Sequence, residues 1–163
     1  MAIPPALVIA ARQGWQWQWQ RLMGGLGPAA AEGSHRRPSS APLRPSVPSF
    51  VEATLPEQRR PLLIPGRSWP GAHRTWLVHQ LRRLGSSVTP LIARADHRAG
   101  RWQLDPPWQG CHPLLELYRH CGAPPSYRAT VPVLVDPSGP RILGNESAQL
   151  VELFNEWPAP DGA

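Results

Sequence analysis

Two cysteines and two histidines fall close together, at Cys111, His112, His120 and Cys121, and such a set raises the question of a metal. Zinc needs close pairs that converge on one point. On a helix placed at about Pro113–His120 these side chains diverge, so no metal is expected. If both sulfurs lie on that helix or at its ends, they are roughly 15 Å apart along its axis, beyond disulfide reach. No other cysteine is present, which is too few for a disulfide framework. The pair therefore reads as free thiols of a reducing, cytoplasmic compartment. A second polar group is Asn145, Glu146 and Ser147, at the head of a helical stretch. Free N–H groups and the positive end of a helix dipole attract a carboxylate there. The plainer reading is that the three residues only cap the helix. Trp15, Trp17 and Trp19 alternate with Gln. These rings are either a stacking platform for bases or sugars, or a means of docking an arm onto a domain.

The elements that would position these residues follow from periodicity and punctuation. Trp15, Trp19, Leu22 and Met23 share a helical face over Arg12–Met23, and Gly24-Gly25 supplies a stop. Period two would instead put the three alternating rings on one side of a strand; a short helix is preferred. Ser34 to Ser49 is dense in Ser, Pro and Arg and reads as linker. Beyond Arg60 come a strand at Leu62–Ile64, a helix at His73–Leu84 ended by Gly85, and a strand at Val88–Ile92. A helix follows at Pro113–His120 with Pro113 in its first turn. Strands at Val131–Val135 and Arg141–Leu143 flank the turn Asp136-Pro137-Ser138-Gly139. The last helix is Asn145–Phe154, with Asn145 as its cap. The order β-α-β-α-β-β-α makes an α/β, thioredoxin-like domain over 61–157, after an arm at 1–60 and before a tail at 158–163.

Composition bounds the alternatives. The chain has 163 residues, room for one ordinary domain and some extra. All 17 basic residues are Arg, so the formal charge of +6 persists across ordinary pH. Seven arginines face three acids in residues 1–60 and ten face eight in the remainder, which puts the excess in the arm. No helix-turn-helix, zinc-finger or RNA-binding aromatic motif accompanies that charge, which argues against nucleic acid. The apolar N-terminal stretch Ala2–Ala11 is short and lacks a signal peptide's leading charge. No run reaches the roughly 20 apolar residues of a membrane span, and a soluble protein is expected.

Four ordered motifs resemble one known family. Ser68-Trp69-Pro70-Gly71-Ala72-His73-Arg74-Thr75 resembles the A-C-P-W-A-H-R-T signature of xi-class glutathione transferases, the glutathionyl-hydroquinone reductases. Gly100-Arg101-Trp102-Gln103-Leu104-Asp105-Pro106 resembles their G-W-x-F segment, Arg128-Ala129-Thr130-Val131-Pro132-Val133-Leu134 their R-x-T-V-P-V-L, and Asn145-Glu146-Ser147 their N-E-S. Glu32-Gly33 through Arg37 and Ser40 resembles the leader before the domain. The resemblance implies glutathione as ligand or substrate. It implies a cis peptide before Pro132, exposing the Val131 N–H and C=O to pair with the cysteinyl part of glutathione like an added strand. It further implies that Ser147 donates to the γ-glutamyl carboxylate and that Glu146 meets the ammonium. It implies too that Trp102, in what reads here as a loop, lies against glutathione and that Arg128 makes a charge-assisted bond to a carboxylate. His73 and Arg74 read as structural or solvated.

The chain departs from this pattern at two points. Trp69 stands where the family has its nucleophilic cysteine, and indole has no thiolate chemistry; Gly71 also replaces a tryptophan. Ser68 remains as a hydroxyl that would hold the thiolate of glutathione for conjugation, with Cys111 or Cys121 as a weaker relocated nucleophile. The family's helical C-terminal domain has no counterpart before Ala163, so an apolar face is expected to be open or covered by the arm, a second copy or a partner chain. Three readings follow: a glutathione-binding transferase domain, a non-catalytic thioredoxin-fold module, or a truncated remnant of a longer transferase.

Overall fold

The computed structural model describes residues 5–25, 55–66, 69–96, 98–125 and 127–158. The linker, the leader-like residues and Ser68 lie outside them.

A four-stranded sheet in the order β2-β1-β6-β7 forms the centre. Its strands are β1 (Leu62–Ile64), β2 (Thr89–Pro90), β6 (Val133–Asp136) and β7 (Arg141–Gly144). β1 runs parallel to β2 and antiparallel to β6, which is antiparallel to β7. The parallel ladder outruns β2, because the N–H groups of Thr89, Leu91 and Ala93 donate in turn to the carbonyls of Pro61, Leu63 and Pro65. Pro90 falls between two donors, where its missing N–H costs nothing.

Alternation along the strands separates two cores. Leu62, Ile64, Val133 and Val135 point to one side, where they meet Leu114, Leu117 and Tyr118 of α3 (Leu114–His120). Leu63 and Leu134 point to the other, against Leu150, Leu153 and Phe154 of α4 (Ser147–Glu156). Beside α4 lies α2 (Pro70–Leu81), whose buried face is Ala72, Thr75 and His79. Trp157 closes this side edge-on to Phe154, and its carbonyl accepts from the Arg82 guanidinium at 2.8 Å. This is the expected α/β, thioredoxin-like order with an addition.

The addition is a second, antiparallel sheet of β3 (Ala93–Asp96), β4 (Arg101–Trp108) and β5 (Cys111–Pro113). The segment around Trp102, expected as a loop, is therefore strand. Its turn is built locally: the Asp96 carboxylate accepts from the Arg98 and Ala99 N–H groups, both at 3.0 Å, and Gly100 supplies φ +65°. A side chain at Gly100 would also strike the Arg21 carbonyl of α1 (Pro5–Gly25), its Cβ only 2.3 Å away, so the arm helix approaches β4 there. The Trp-Gln alternation is helical, and Trp15 and Trp17 are 68% and 54% exposed. Those two rings do not dock the helix; Trp17 carries the Arg21 guanidinium 4.8 Å above it instead.

Several boundaries shift for identifiable reasons. α2 begins at Pro70 rather than His73, because proline suits a first turn. It ends before a left-handed Arg83, ahead of Gly85. Pro113 caps α3 from outside its first turn, and β6 starts two residues after Val131. The cap of α4 is Glu146; Asn145 is turned inward, its amide donating to the Tyr118 hydroxyl at 3.4 Å.

Candidate functional site

α2 starts from extended backbone at Trp69, whose carbonyl accepts from the N–H groups of Ala72 and His73. The half-buried indole lies across Gly71: a Cβ there would stand 3.2 Å from its Nε1. Trp69 and Gly71 thus form a matched pair, since the ring occupies the space a side chain at 71 would take. No group at this helix start, among the described residues, is a thiol.

The Val131–Pro132 peptide is cis, as expected. Val131 is buried over Gly66, where an added Cβ would come within 2.4 Å of its methyl Cγ2 and 3.0 Å of the Trp102 ring. Trp102 is 3% exposed and belongs to the core; only its ring edge reaches the Gly66–Val131 contact. Arg128 is half-buried on the irregular segment leading into Val131.

The third wall is the start of α4. Ser147 is buried, and its Oγ accepts from Arg74 of α2, at 3.1 Å from Nε and 2.5 Å from Nη2. Arg74, which sequence reasoning set aside as structural or solvated, thus stands at the site. Its outward position on α2 gave no sign of a partner 73 residues on. A hydroxyl that accepts from a guanidinium keeps its own proton to donate. With the unpaired N–H groups of the helix start and the fixed cation beside it, this corner favours a carboxylate. Glu146, half-buried at the cap, adds an acid next to it.

The cysteines take no such part. Cys111 lies on β5, not on the helix, and Cys121 caps the end of α3; both are buried and free. Burial, and secondarily the charge of Glu116, raises the Cys111 thiol's pKa. Burial and then the neighbouring Cys111 push Cys121 up to about 11. Both stay protonated at neutral pH, the opposite of an activated nucleophile, so the relocated-nucleophile expectation is not supported by their chemistry. His120 bonds the Gln109 amide at 2.7 Å and lies edge-on to Trp108. Among the described residues no group of three or more His, Cys, Asp or Glu could hold a metal, and no helix is long and apolar enough to cross a membrane.

A mixed sheet in this order, with helices packed on its faces, defines a thioredoxin-like fold. Comparisons narrow the class. No family profile matches the chain. It is 28% identical over 116 residues to glutathionyl-hydroquinone reductase YqjG of Escherichia coli, covering 66% of this chain and 35% of that protein. It is 29% identical over 127 residues to glutathione S-transferase omega-like 2 of Schizosaccharomyces pombe, covering 69% and 41%. Among solved structures, a xi-class transferase from Natrialba magadii superposes with TM-score 0.54 at 29% identity, covering 69% and 35%. The glutathione-bound E. coli YqjG gives 0.50 at 28%, covering 60% and 34%. These neighbours point to the xi-class transferases and glutathionyl-hydroquinone reductases. The chain spans 35% and 41% of the length of the two curated relatives.

Proposed function

We propose that this domain binds glutathione along the edge formed by the starts of α2 and α4 and the Val131–Pro132 segment, without thiol exchange at a motif cysteine. The observation that carries the reading is the paired Arg74 and Ser147 at the start of α4, in a fold shared with a glutathione-bound relative. In this reading the Val131 backbone pairs with the cysteinyl unit and Pro132 holds that backbone outward. Ser147 donates to the γ-glutamyl carboxylate, Arg74 supplies its countercharge, and Glu146 meets the ammonium. Arg128 is assigned to the remaining carboxylate. Trp102 is a floor beneath Val131 rather than a surface touched by the ligand.

Conjugation would use the thiolate of glutathione itself as nucleophile, held by the Ser68 hydroxyl while it adds to an electrophilic carbon. A second reading, a non-catalytic module, is favoured by Leu77 and Leu81, an apolar pair one turn apart on α2 with Leu81 80% exposed. Such a module would meet a second copy or a partner chain on that face.

Calorimetric titration with reduced glutathione separates the two. Saturable binding that a Glu146→Ala, Ser147→Ala double variant loses supports the first; no heat up to millimolar ligand leaves the second.

A further inference from the structure

The two segments assigned to glutathione are both irregular backbone, and they come from distant parts of the chain. Residues 127–132 lead into β6 and residues 145–146 lead into α4. A ligand that bridges them gains affinity only if their spacing is already set, because ordering loops on binding consumes binding energy. One buried group bonds to both. The Tyr118 hydroxyl, in α3, donates to the Thr130 carbonyl at 2.8 Å. It accepts from the Thr130 N–H at 3.3 Å and from the Asn145 side-chain amide at 3.4 Å. Thr130 is the residue before Val131, and Asn145 the residue before Glu146.

The location of this oxygen is not left to solvent. Tyr118 is 1% exposed, its ring packed in the same core as Leu114, Leu117, Val131 and Trp102. Asn145 is itself buried, so its amide has little recourse to water. The hydroxyl is therefore a fixed point from which one segment hangs by two bonds and the other by one. Arg74 acts differently, reaching only the α4 side through Ser147.

We infer that Tyr118 is a positioning residue of the glutathione site, its hydroxyl setting the spacing between the Val131 backbone and the Glu146–Ser147 corner. This rests on the reading under Proposed function. Phenylalanine keeps the ring and its packing, removes the oxygen, and frees the two segments to drift independently. The α3 sequence Leu114-Leu115-Glu116-Leu117-Tyr118 carries no sign of this role, since an aromatic at that spacing is equally a core residue.

The test is calorimetric titration of the full chain with reduced glutathione, for wild type, Tyr118→Phe, Ser147→Ala and the double variant, at a temperature where each is folded by circular dichroism. Tyr118→Phe should weaken binding about tenfold, the scale of one lost buried hydrogen bond. In the Ser147→Ala background the same change should weaken it less than threefold, because the γ-glutamyl hold that Tyr118 aligns is already gone. A merely structural role lowers the melting temperature and leaves the dissociation constant within twofold of wild type; that result overturns the inference and leaves the proposed function standing. Equal losses in both backgrounds overturn it as well. If Tyr118→Phe does not fold, Asn145→Ala decides, since it removes the link to α4 and leaves the Tyr118–Thr130 bonds in place: weaker binding supports the inference and unchanged binding overturns it. Wild-type chain that binds no glutathione removes the proposed function and this inference together.

Discussion

The starts of α2 and α4 are neighbours governed by the same physics and carry opposite equipment. Each presents the positive end of a helix dipole. At α4 that field is used: Ser147 is buried, bonded to Arg74, and left with a proton to donate. At α2 the cap is Trp69, whose indole lies on Gly71 and has no charge for the dipole to stabilise. On the proposed reading, the α4 start keeps what holds a carboxylate while the α2 start, among the described residues, has no thiol to activate, so the two tasks rest on different residues of one fold.

The sharpest way to break this contrast is to return a thiol to α2. Trp69→Cys, paired with Gly71→Trp, should create a cysteine at a helix start with a lowered pKa. Its thiolate would attack oxidised glutathione, forming a mixed disulfide on the protein and releasing one reduced glutathione. Mass spectrometry should find one added glutathionyl group in the variant and none in the wild type, whose Cys111 and Cys121 are buried and protonated. A variant that stays unmodified would show that the α2 start lacks more than a thiol.

At α4 the expected effect is smaller. Arg74→Met keeps an unbranched apolar stem and removes the donor pair on Ser147. Glutathione binding should weaken about tenfold, with the loss shrinking as salt rises, because a charge-assisted contact is worth roughly 1.5 kcal/mol and is screened where exposed. Unchanged affinity measured by titration would remove Arg74 from the site.

The halves of this comparison were unequally legible. Motif chemistry named Val131, Glu146 and Ser147 as candidates, and the Val131–Pro132 peptide is cis, as expected. Central strands and helices were readable because short apolar runs such as Leu62–Ile64 and the spacing of Leu150 and Phe154 carry a clear period. The second sheet was not, since β4 alternates only at Trp102 and Leu104 before Asp105-Pro106-Pro107 interrupts the pattern. Trp102 went into the core for the same reason. The Arg74–Ser147 and Tyr118–Asn145 bonds join residues far apart in sequence, and nothing local encodes them.

The Trp69–Gly71 fit makes a prediction about stability. Gly71→Ala places a Cβ at 3.2 Å from the indole Nε1, tight enough that the ring must shift. Alanine is the better helix former by about 1 kcal/mol, so relief of that contact decides the sign. Denaturant unfolding should show Gly71→Ala to be more stabilising by about 1 kcal/mol in a Trp69→Ala background than in the wild type. Additive effects would mean that the ring does not confine position 71.

The smallest effect lies away from both helix starts, at His79 on the buried face of α2. Its Nε2 donates to the Val88 carbonyl at 2.9 Å, its Nδ1 accepts from the Gln80 amide at 3.1 Å, and Trp76 stacks on it. Burial lowers its pKa from the usual 6.5, with the Val88 bond opposing the shift. Below about pH 6.5 the unfolded chain binds a proton that the folded chain refuses. Stability should therefore be level above that pH as far as this residue is concerned, and should decline as pH falls toward the lowered native value. His79→Gln retains a donor for Val88 and cannot titrate, so urea midpoints from pH 7.5 to 5 (about the range in which an ordinary histidine titrates) should fall less steeply for the variant. Parallel declines would assign the acid sensitivity to the carboxylates, and the protonation state of α2's buried face would then have no bearing on the site at its start.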